Sequence, residues 1–378
     1  MVAAFCLCSP LLFAQTWQPT GAPSNYWASV ACSADGGKIV VAAGGQFFQG
    51  LIYASTNSGQ TWMATSAPSN NWMSVASSAD GSRFLAAAYN SGLYTSTNFG
   101  VTWQTNTVAS HTWQSVASSA DGSRLFAASF NNLAFISTNG GTGWFSNLTT
   151  MADARTITVS AAGNKVFSGN NVGHTVASTN SGTTWAARTA LVGNVYSLAG
   201  SADGTRVIAA SAGLSGPYVS TSTNAGVNWV SNNLPSRSDW FWCASSADGS
   251  RLEAVGGKGV IYASTNSGQN WVSNDLPQLL WTGIASSADG NLLVAVSQDH
   301  GIWIRRQAAL PSVSLTSAGN ALKLSWPVTS TNVVVQQSTD LRGWGGASVQ
   351  PVLNYTNLQN EVILPNAPGN IFYRLKTP

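Results

Sequence analysis

The chain has 378 residues, of which 44% are apolar and 8% are charged, with 37 glycines and 16 tryptophans. The length allows a large core. The share of charged residues is about a third of the usual one, so Ser, Thr and Asn must provide most of the polar groups on the surface. The formal net charge of +3 is too small for a nucleic-acid-binding surface, and no apolar stretch beyond the N-terminus is as long as a membrane span.

Residues 1–14 are apolar and end in Phe13-Ala14 before a polar Gln15. A buried first strand is one interpretation, but the abrupt change favours the end of a secretory signal cleaved after Ala14. We therefore expect a secreted or cell-surface protein. Of the four cysteines, only Cys32 and Cys243 would remain, and they fall in non-neighbouring repeats, where buried free thiols are expected.

Two phrases recur along residues 15–306. The first is a strand followed by Ala-Asp-Gly, as in Trp72–Gly81, and its anchor positions are 45, 41, 41, 41, 45 and 41 residues apart: Asp35, Asp80, Asp121, Ala162, Asp203, Asp248 and Asp289. The second, here called the box turn, is Ser-Thr-Asn-x-Gly followed by Trp, as in Ser55–Trp62. A period of this size is typical of a β-propeller blade.

One repeat predicts four short antiparallel strands joined by tight turns. In the second repeat these are residues 74–79, 83–89, 93–96 and 101–104, with turns at Asp80-Gly81, Asn90-Ser-Gly92 and Asn98-Phe-Gly100. The first strand carries small residues, as expected for a strand crowded against the propeller axis.

The chain contains seven first-strand phrases but only six box turns. The seventh repeat stops at residues 301–306, where a third strand is expected, and an orphan Thr16-Trp17-Gln18 matches Thr61-Trp62. We therefore predict an all-β protein with a seven-bladed propeller over residues 15–306, closed by the N-terminal strand, which removes exposed sheet edges. After a linker at 307–311, alternating strands predict a small β-sandwich at 312–378.

The box turn resembles the Asp-box, or BNR repeat, of sialidases, sortilin-type receptors, xyloglucan-cleaving hydrolases and photosystem assembly factors. The resemblance implies the propeller fold, but these families share the box and not the chemistry. Every box here has Asn where the motif has Asp, and Asn preserves the turn. Residues 324–375 resemble small fibronectin-III-like modules of secreted bacterial proteins, which space, display or attach a neighbouring domain.

Catalysis is not supported by the sequence. A sialidase needs three arginines on a carboxylate, a Tyr–Glu pair and an acid Asp, whereas only Glu253 and Glu361 are present. No catalytic residue, metal ligand set or cofactor is therefore predicted. The alternative is a glycoside hydrolase using Asp153, Asp239 or Asp299. Arg155, Arg188 and Arg237 depart from the repeat, either as an anion clamp or as solvated loop residues.

Cations occur three residues after the turn aspartate position in six of seven repeats: Lys38, Arg83, Arg124, Lys165, Arg206 and Arg251. They could bind an anionic partner, but pairing with the nearby turn Asp is the favoured interpretation. The tryptophans that open most first strands could similarly face a ligand, although packing between blades is favoured.

The opposite end of the predicted propeller carries the most variable loops, with aromatic rings beside amides. Such residues suit sugar or peptide recognition, although loops also vary without function. The sequence thus predicts a non-catalytic, monomeric protein that binds a glycan or an extracellular protein, with a complex-assembly factor as a further alternative. The candidate ligand-binding residues are Phe47, Phe48, Asn131, Arg155, Arg188, Tyr218, Arg237, Asp299 and His300.

Overall fold

The computed structural model describes residues 17–130, 133–148, 154–213, 218–232, 234, 240–256, 259–274, 279–298 and 300–306, and then 314–318, 321–327, 334–339, 345–347, 352–354, 359–364 and 371–376. The chain forms two compact units, one of them Thr16–Gln307 and the other including Ala308–Pro378. Within these ranges, no helix is long and apolar enough to cross a membrane. The predicted signal at 1–14 lies outside the described residues.

The first unit is a seven-bladed propeller in which each blade is a four-stranded antiparallel sheet. The strands of the first three blades are β2 (Trp27–Cys32), β3 (Ile39–Ala43), β4 (Ile52–Ser55), β5 (Met63–Ala64); β6 (Trp72–Ser77), β7 (Phe84–Ala88), β8 (Leu93–Ser96), β9 (Gln104–Thr105); and β10 (Trp113–Ser118), β11 (Leu125–Ser129), β12 (Leu133–Ser137), β13 (Phe145–Leu148).

Blades four to six repeat this order. Their strands are β14 (Ala154–Val159), β15 (Val166–Asn170), β16 (Thr175–Ser178), β17 (Ala186–Ala187); β18 (Asn194–Gly200), β19 (Val207–Ala212), β20 (Tyr218–Ser222), β21 (Val230–Asn232); and β22 (Trp240–Ser245), β23 (Leu252–Gly256), β24 (Ile261–Ser264), β25 (Val272–Asn274).

The seventh sheet combines both ends of the repeat region. It contains β26 (Trp281–Ser286), β27 (Leu292–Ser297) and β28 (Gly301–Arg306), and its outer strand is β1 (Gln18–Pro19), with Gln18 opposite Ile304. The side chain of Trp17, just before β1, is 5% exposed.

Three of the four strands predicted for blade two have different bounds in the structure, and hydrogen bonds explain two of the shifts. The first strand of blade two ends at Ser77 because the N–H of Ala79 leaves its own sheet and donates to Ala120 of the next blade at 2.8 Å. The fourth strand begins only at Gln104 because Thr102 still belongs to the box turn, where its N–H donates to Asn98 Oδ1 at 2.9 Å.

Backbone hydrogen bonds join the seven first strands into a closed ring. The alanine that precedes each turn aspartate position donates its N–H to the same alanine of the next blade at 2.7–2.8 Å, in the order Ala34, Ala79, Ala120, Ala161, Ala202, Ala247, Ala288 and back to Ala34. The small side chains of these alanines allow neighbouring blades to approach closely enough for the bonds.

Each interface between blades has its own apolar cluster. The residue that opens the first strand is buried in all seven blades, and it is Trp27, Trp72, Trp113, Ala154, Val195, Trp240 or Trp281. A second tryptophan packs on each cluster: Trp62, Trp103, Trp144, Trp185, Trp229, Trp271 and, between blades six and seven, Trp17. The tryptophans are therefore structural, as favoured above.

The second unit contains two antiparallel sheets. One has the strands β29 (Ser314–Ala318), β30 (Ala321–Pro327), β33 (Val352–Asn354) and β34 (Gln359–Leu364), and the other has β31 (Val334–Ser338), β32 (Gly345–Gly346) and β35 (Phe372–Lys376). Its core includes Leu324, Val335 and Val362, all at most 5% exposed.

Candidate ligand-binding site

The propeller has two chemically different ends. The turn end is formed by the Asp-Gly turns and the box turns. The loop end is formed by the turns between second and third strands and by the segments that lead into each first strand.

Serine hydroxyls fix the aspartates of the turn end. Ser119 Oγ donates to Asp121 Oδ1 at 2.6 Å, and the N–H and Oγ of Ser123 donate to the same carboxylate at 3.0 and 2.7 Å. These hydrogen bonds lower the pKa of Asp121 to about 2, and the bond from Ser119 has the largest effect. The same arrangement lowers the pKa of Asp203 and of Asp248 to about 2.

The box turns are rigid and self-contained. In the first, Ser55 Oγ donates to Asn57 Oδ1 at 2.9 Å, and the N–H groups of Gly59 and Thr61 donate to these two side chains at 2.8 and 2.9 Å. Ser58 has φ 55°, the left-handed conformation that this turn requires. Asn thus holds the turn where the motif has Asp, and the N–H of Ser58 ties the box to Gly37 of the Asp turn at 2.8 Å.

The cations of the turn end bind the next blade and not their own aspartate. Lys38 Nζ donates to the carbonyl of Asp80 at 2.8 Å, and Arg124 Nη1 donates to the carbonyl of Ala162 at 2.8 Å. Lys165 repeats this bond to Asp203 at 2.8 Å. Lys38 and Arg124 therefore tie neighbouring blades together and form no salt bridge with their own turn Asp, contrary to the favoured interpretation, while Lys165 has Ala162 and no Asp in its own turn.

At the loop end, every first strand contains a β-bulge at the same position. The pairing register shifts across the residue after the buried opening residue, so that one residue per blade is left out of the ladder. We call these seven residues the axial ring, and all are half-buried: Ala28, Met73, Gln114, Arg155, Tyr196, Phe241 and Thr282. Bulges often re-aim a side chain beside a functional site.

The axial ring is asymmetric, because its large residues lie side by side in blades four to six. The Arg155 guanidinium carbon lies 4.1 Å from the centroid of the Tyr196 ring, and Tyr196 meets Phe241 edge-on at 4.8 Å and 82°. Arg155 Nη1 also donates to Asn171 Oδ1 at 2.9 Å. Burial lowers the pKa of Arg155, and the Tyr196 contact opposes this shift.

Among the described residues, Arg155 forms no ion pair with a carboxylate. The ion pair found there joins Arg305 and Glu253. A half-buried guanidinium on an aromatic ring can bind an anionic or a planar polar group of a ligand. Sequence reasoning singled out Arg155 but missed Tyr196 and Phe241. Aligning the repeats on the opening residue would have shown that the next position varies most.

A second group of exposed residues lies at the loop end of blades one and two. Phe47 and Phe48 are 79% and 44% exposed, and Phe48 stacks on Tyr26 with centroids 4.1 Å apart at 20°. Gln46 Nε2 donates to the hydroxyl of Tyr89 at 2.8 Å. The predicted aromatic residues therefore form a compact exposed cluster with amide and hydroxyl groups beside them.

The remaining predicted residues are dispersed. Arg188 follows the outer strand β17 and donates through Nε to the Ala225 carbonyl at 3.3 Å, so it lies three strand spacings, about 14 Å, from the inner strand that carries Arg155. Tyr218 opens β20 and is half-buried, and His300 is exposed, with its carbonyl accepting from Trp303 Nε1. Asn131, Arg237 and Asp299 lie outside the described residues.

The described carboxylates outside the turns include one buried group. Glu253 in β23 is 4% exposed and accepts from Arg305 Nη2 of β28 at 2.9 Å, across the interface of blades six and seven. Burial raises the pKa of Glu253 to about 7, against the opposing effect of Arg305. In the part of the chain that the structure covers, no three His, Cys, Asp or Glu side chains cluster around a possible metal position, and Cys32 and Cys243 are free thiols.

Comparison with known proteins gives the fold and no family. No protein-family model and no curated protein matches the sequence. Among solved structures, hydrazine synthase from Kuenenia stuttgartiensis is similar with a TM-score of 0.63 at 13% identity, covering 76% of this chain and 97% of that one. YCF48 from Cyanidioschyzon merolae is similar with a TM-score of 0.60 at 12% identity, covering 77% and 98%.

A structure of YCF48 bound to D1 peptide is also similar, with a TM-score of 0.60 at 13% identity and coverage of 77% and 97%. At these identities the likeness shows the β-propeller fold alone.

Proposed function

We propose that this chain is a non-catalytic binding protein that holds a glycan or protein ligand on the loop end of its propeller. The observation that carries the proposal is the axial ring. Seven bulges present one side chain per blade at equivalent positions, and these side chains range from Ala28 to Arg155 and Phe241. The buried position just before each ring residue is Trp in five of seven blades, whereas the seven ring residues are all different, and this divergence supports a ligand-facing role.

The carboxylates that the structure describes in the propeller are engaged within the fold, which supports a binding role, while Asp153, Asp239 and Asp299 of the hydrolase alternative lie outside the described residues. The turn aspartates are bonded by serines and backbone N–H groups, and Glu253 is buried against Arg305. YCF48, a structural neighbour, is described as bound to a peptide, which supports a protein as one class of ligand. An assembly factor remains the alternative within that class.

Several finer features belong to the same proposal. The box turns are Asp-box elements with Asn in place of Asp, β1 closes the ring as the fourth strand of blade seven, and residues 312–378 form a fibronectin-III-like sandwich that spaces or attaches the propeller. The apolar segment 1–14 and the low charge of the chain support a secreted or cell-surface location.

The test is a binding screen of the purified chain on an oligosaccharide array and a peptide array. We expect at least one probe class to bind, and Arg155→Gln to weaken that binding about tenfold or more, because a charged hydrogen bond contributes about 1.5–3 kcal/mol. Val101→Ala, which removes an exposed apolar side chain at the turn end, is the control and should bind like the natural protein.

Equal binding by all variants would contradict the loop-end site. Turnover of fluorogenic glycosides by the natural chain, lost on changing Asp153, Asp239 or Asp299, would contradict the non-catalytic assignment and favour a glycoside hydrolase.

A further inference from the structure

The loop-end turn of blade one, residues 44–50 between β3 and β4, is here called the aromatic loop. It exposes two consecutive phenylalanines, Phe47 and Phe48, whereas most other aromatic rings in the described part of the propeller are buried or half-buried. Exposed apolar rings of this size cost solvation free energy, and contiguous exposed apolar surface often marks an interaction site.

Hydrogen bonds hold the aromatic loop in one conformation. Gly44 N–H donates to the Tyr26 carbonyl at 2.7 Å, and Asn71 Nδ2 donates to the carbonyls of Gly45 and Gln46, both at 3.1 Å. Gly50 and Asn70 exchange N–H to carbonyl bonds at 2.9 and 3.1 Å. The loop that carries the two rings is thus preorganised, so binding a ligand would not cost the entropy of ordering it.

Glycine is required at the base of this loop. Gly44 has φ 147°, and a Cβ there would lie 2.7 Å from the backbone nitrogen of Trp72. The loop therefore passes close to the next blade, which brings Phe48, Tyr26 and the Gln46–Tyr89 pair together across the junction of blades one and two.

The chain segment that contains the aromatic loop carries no charge. From residue 39 to residue 79 the sequence contains no Asp, Glu, Lys or Arg, and the nearest charged residues in sequence, Lys38 and Asp80, belong to the turn end. The polar side chains of the aromatic loop, and those joined to it by hydrogen bonds directly or through Asn70, are amides and hydroxyls: Gln46, Gln49, Asn70, Asn71, Tyr89 and Ser91. This is a different chemistry from that of Arg155 in blade four.

We propose that the aromatic loop binds a neutral oligosaccharide, with a pyranose ring stacked on Phe47 and Phe48 and its hydroxyls bonded to the flanking amides. A sugar ring has an apolar C–H face that suits an aromatic ring, and a rim of hydroxyls that both donate to and accept from amides. Charge complementarity favours this occupant, because an acidic glycan or a charged peptide would find no counter-charge on the segment 39–79 that forms the loop. The inference rests on the proposed function and names one ligand class for it.

The experiment is calorimetric titration of the full chain with neutral hexasaccharides of glucose, mannose, xylose or N-acetylglucosamine, and with an acidic galacturonate hexasaccharide. We expect one neutral oligosaccharide to bind, and Phe47→Ala to weaken it about tenfold or more, since each lost aromatic contact of about 1.4 kcal/mol is tenfold in affinity. Gln46→Ala should weaken it less.

Phe145→Ala is the matched control, because Phe145 is also an exposed phenylalanine, at 43%, but lies on the outer strand of blade three. Its affinity should equal that of the natural chain. Phe47 is almost fully solvent-exposed, so its replacement should not disturb folding, which an unchanged melting temperature would establish.

The inference is overturned if no neutral hexasaccharide binds at millimolar concentration, if only the acidic one binds, or if Phe47→Ala binds like Phe145→Ala. Should Arg155→Gln then still abolish binding of an array probe, the loop-end function stands and the neutral-glycan assignment alone fails. If neither variant affects any probe, both fail.

Discussion

At the scale of single residues, the turn end is stabilised by serine hydroxyls, and blade four shows what the aspartate adds. In blade three Ser119 donates to Asp121, whereas blade four has Ala162 in place of Asp and Ser160 Oγ donates instead to Asn164 Oδ1 at 2.9 Å. In both blades the serine hydroxyl also accepts a hydrogen bond from the backbone N–H of the residue after the turn, which is Arg124 in blade three and Lys165 in blade four. The turn survives without the carboxylate, but only the carboxylate makes it sensitive to pH.

Acid should therefore destabilise the propeller. Asp121, Asp203 and Asp248 have pKa values of about 2 in the fold, against about 3.9 in an unfolded chain. A lowered pKa contributes stability that is present above pH 4 and is lost as pH falls toward 2. We expect the melting temperature, followed by circular dichroism, to fall across this window.

Ser119→Ala and Ser160→Ala form the matched pair for this prediction. Ser119→Ala removes the main donor to Asp121, so its destabilisation should be larger at pH 7 than at pH 2.5. Ser160→Ala touches no carboxylate, and its effect should be the same at both values. Equal pH dependence of the two variants would show that the Ser–Asp bond does not carry the effect.

The buried pair of Glu253 and Arg305 gives a second prediction at this scale. Removing one partner of a buried ion pair leaves an uncompensated charge, so Glu253→Ala should lower the free energy of unfolding by about 3–5 kcal/mol. The raised pKa of Glu253 indicates that the charged form is costly to bury. Glu253→Leu combined with Arg305→Met should hence be within about 1 kcal/mol of the natural chain, or more stable, in urea unfolding at pH 7.

At the scale of the element, the outer strand of blade seven is the one drawn from a distant part of the chain. Trp17 occupies the place in its interface cluster that Trp62 occupies in blade one, and the Arg305 guanidinium carbon lies 5.7 Å from the centroid of its ring. The strand itself is short, with Gln18 and Pro19 paired to Ile304 and Trp303. Its attachment consequently depends on the tryptophan more than on the ladder.

Trp17→Ala should destabilise the propeller by about 3–5 kcal/mol, the usual cost of truncating a buried tryptophan. Trp62→Ala is the matched control, since it removes the equivalent side chain from a blade whose strands are consecutive, and it should cost a similar amount in denaturant unfolding. If Trp62→Ala is destabilising and Trp17→Ala is not, β1 does not close the ring.

At the scale of the propeller as a whole, the turn end carries repeated contacts between blades, and the loop end is the proposed binding surface. The turn end contains the ring of alanine hydrogen bonds, the box turns and the cations that tie each blade to the next. The loop end contains the seven bulges and the aromatic loop. The contacts of the turn end repeat from blade to blade, whereas the axial-ring residues of the loop end all differ.

The sequence by itself determined the blades, because their turns depend on local chemistry. Ser, Asp or Asn and Gly within five residues form a turn wherever they occur, so the repeat period, the strand order and the structural role of the tryptophans could all be read from the chain. The exposed aromatics at Phe47 and Phe48 were predictable for the same reason.

Only the tertiary structure decided which residues of different repeats meet. Arg155 and Tyr196 are 41 positions apart and Glu253 and Arg305 are 52, and neither contact has a local signal. The turn-end cations were expected to pair with the nearest Asp in sequence, yet Lys38 and Arg124 reach across to the next blade. The packing of one blade against the next sets these distances, and they cannot be predicted from the order of residues along one strand.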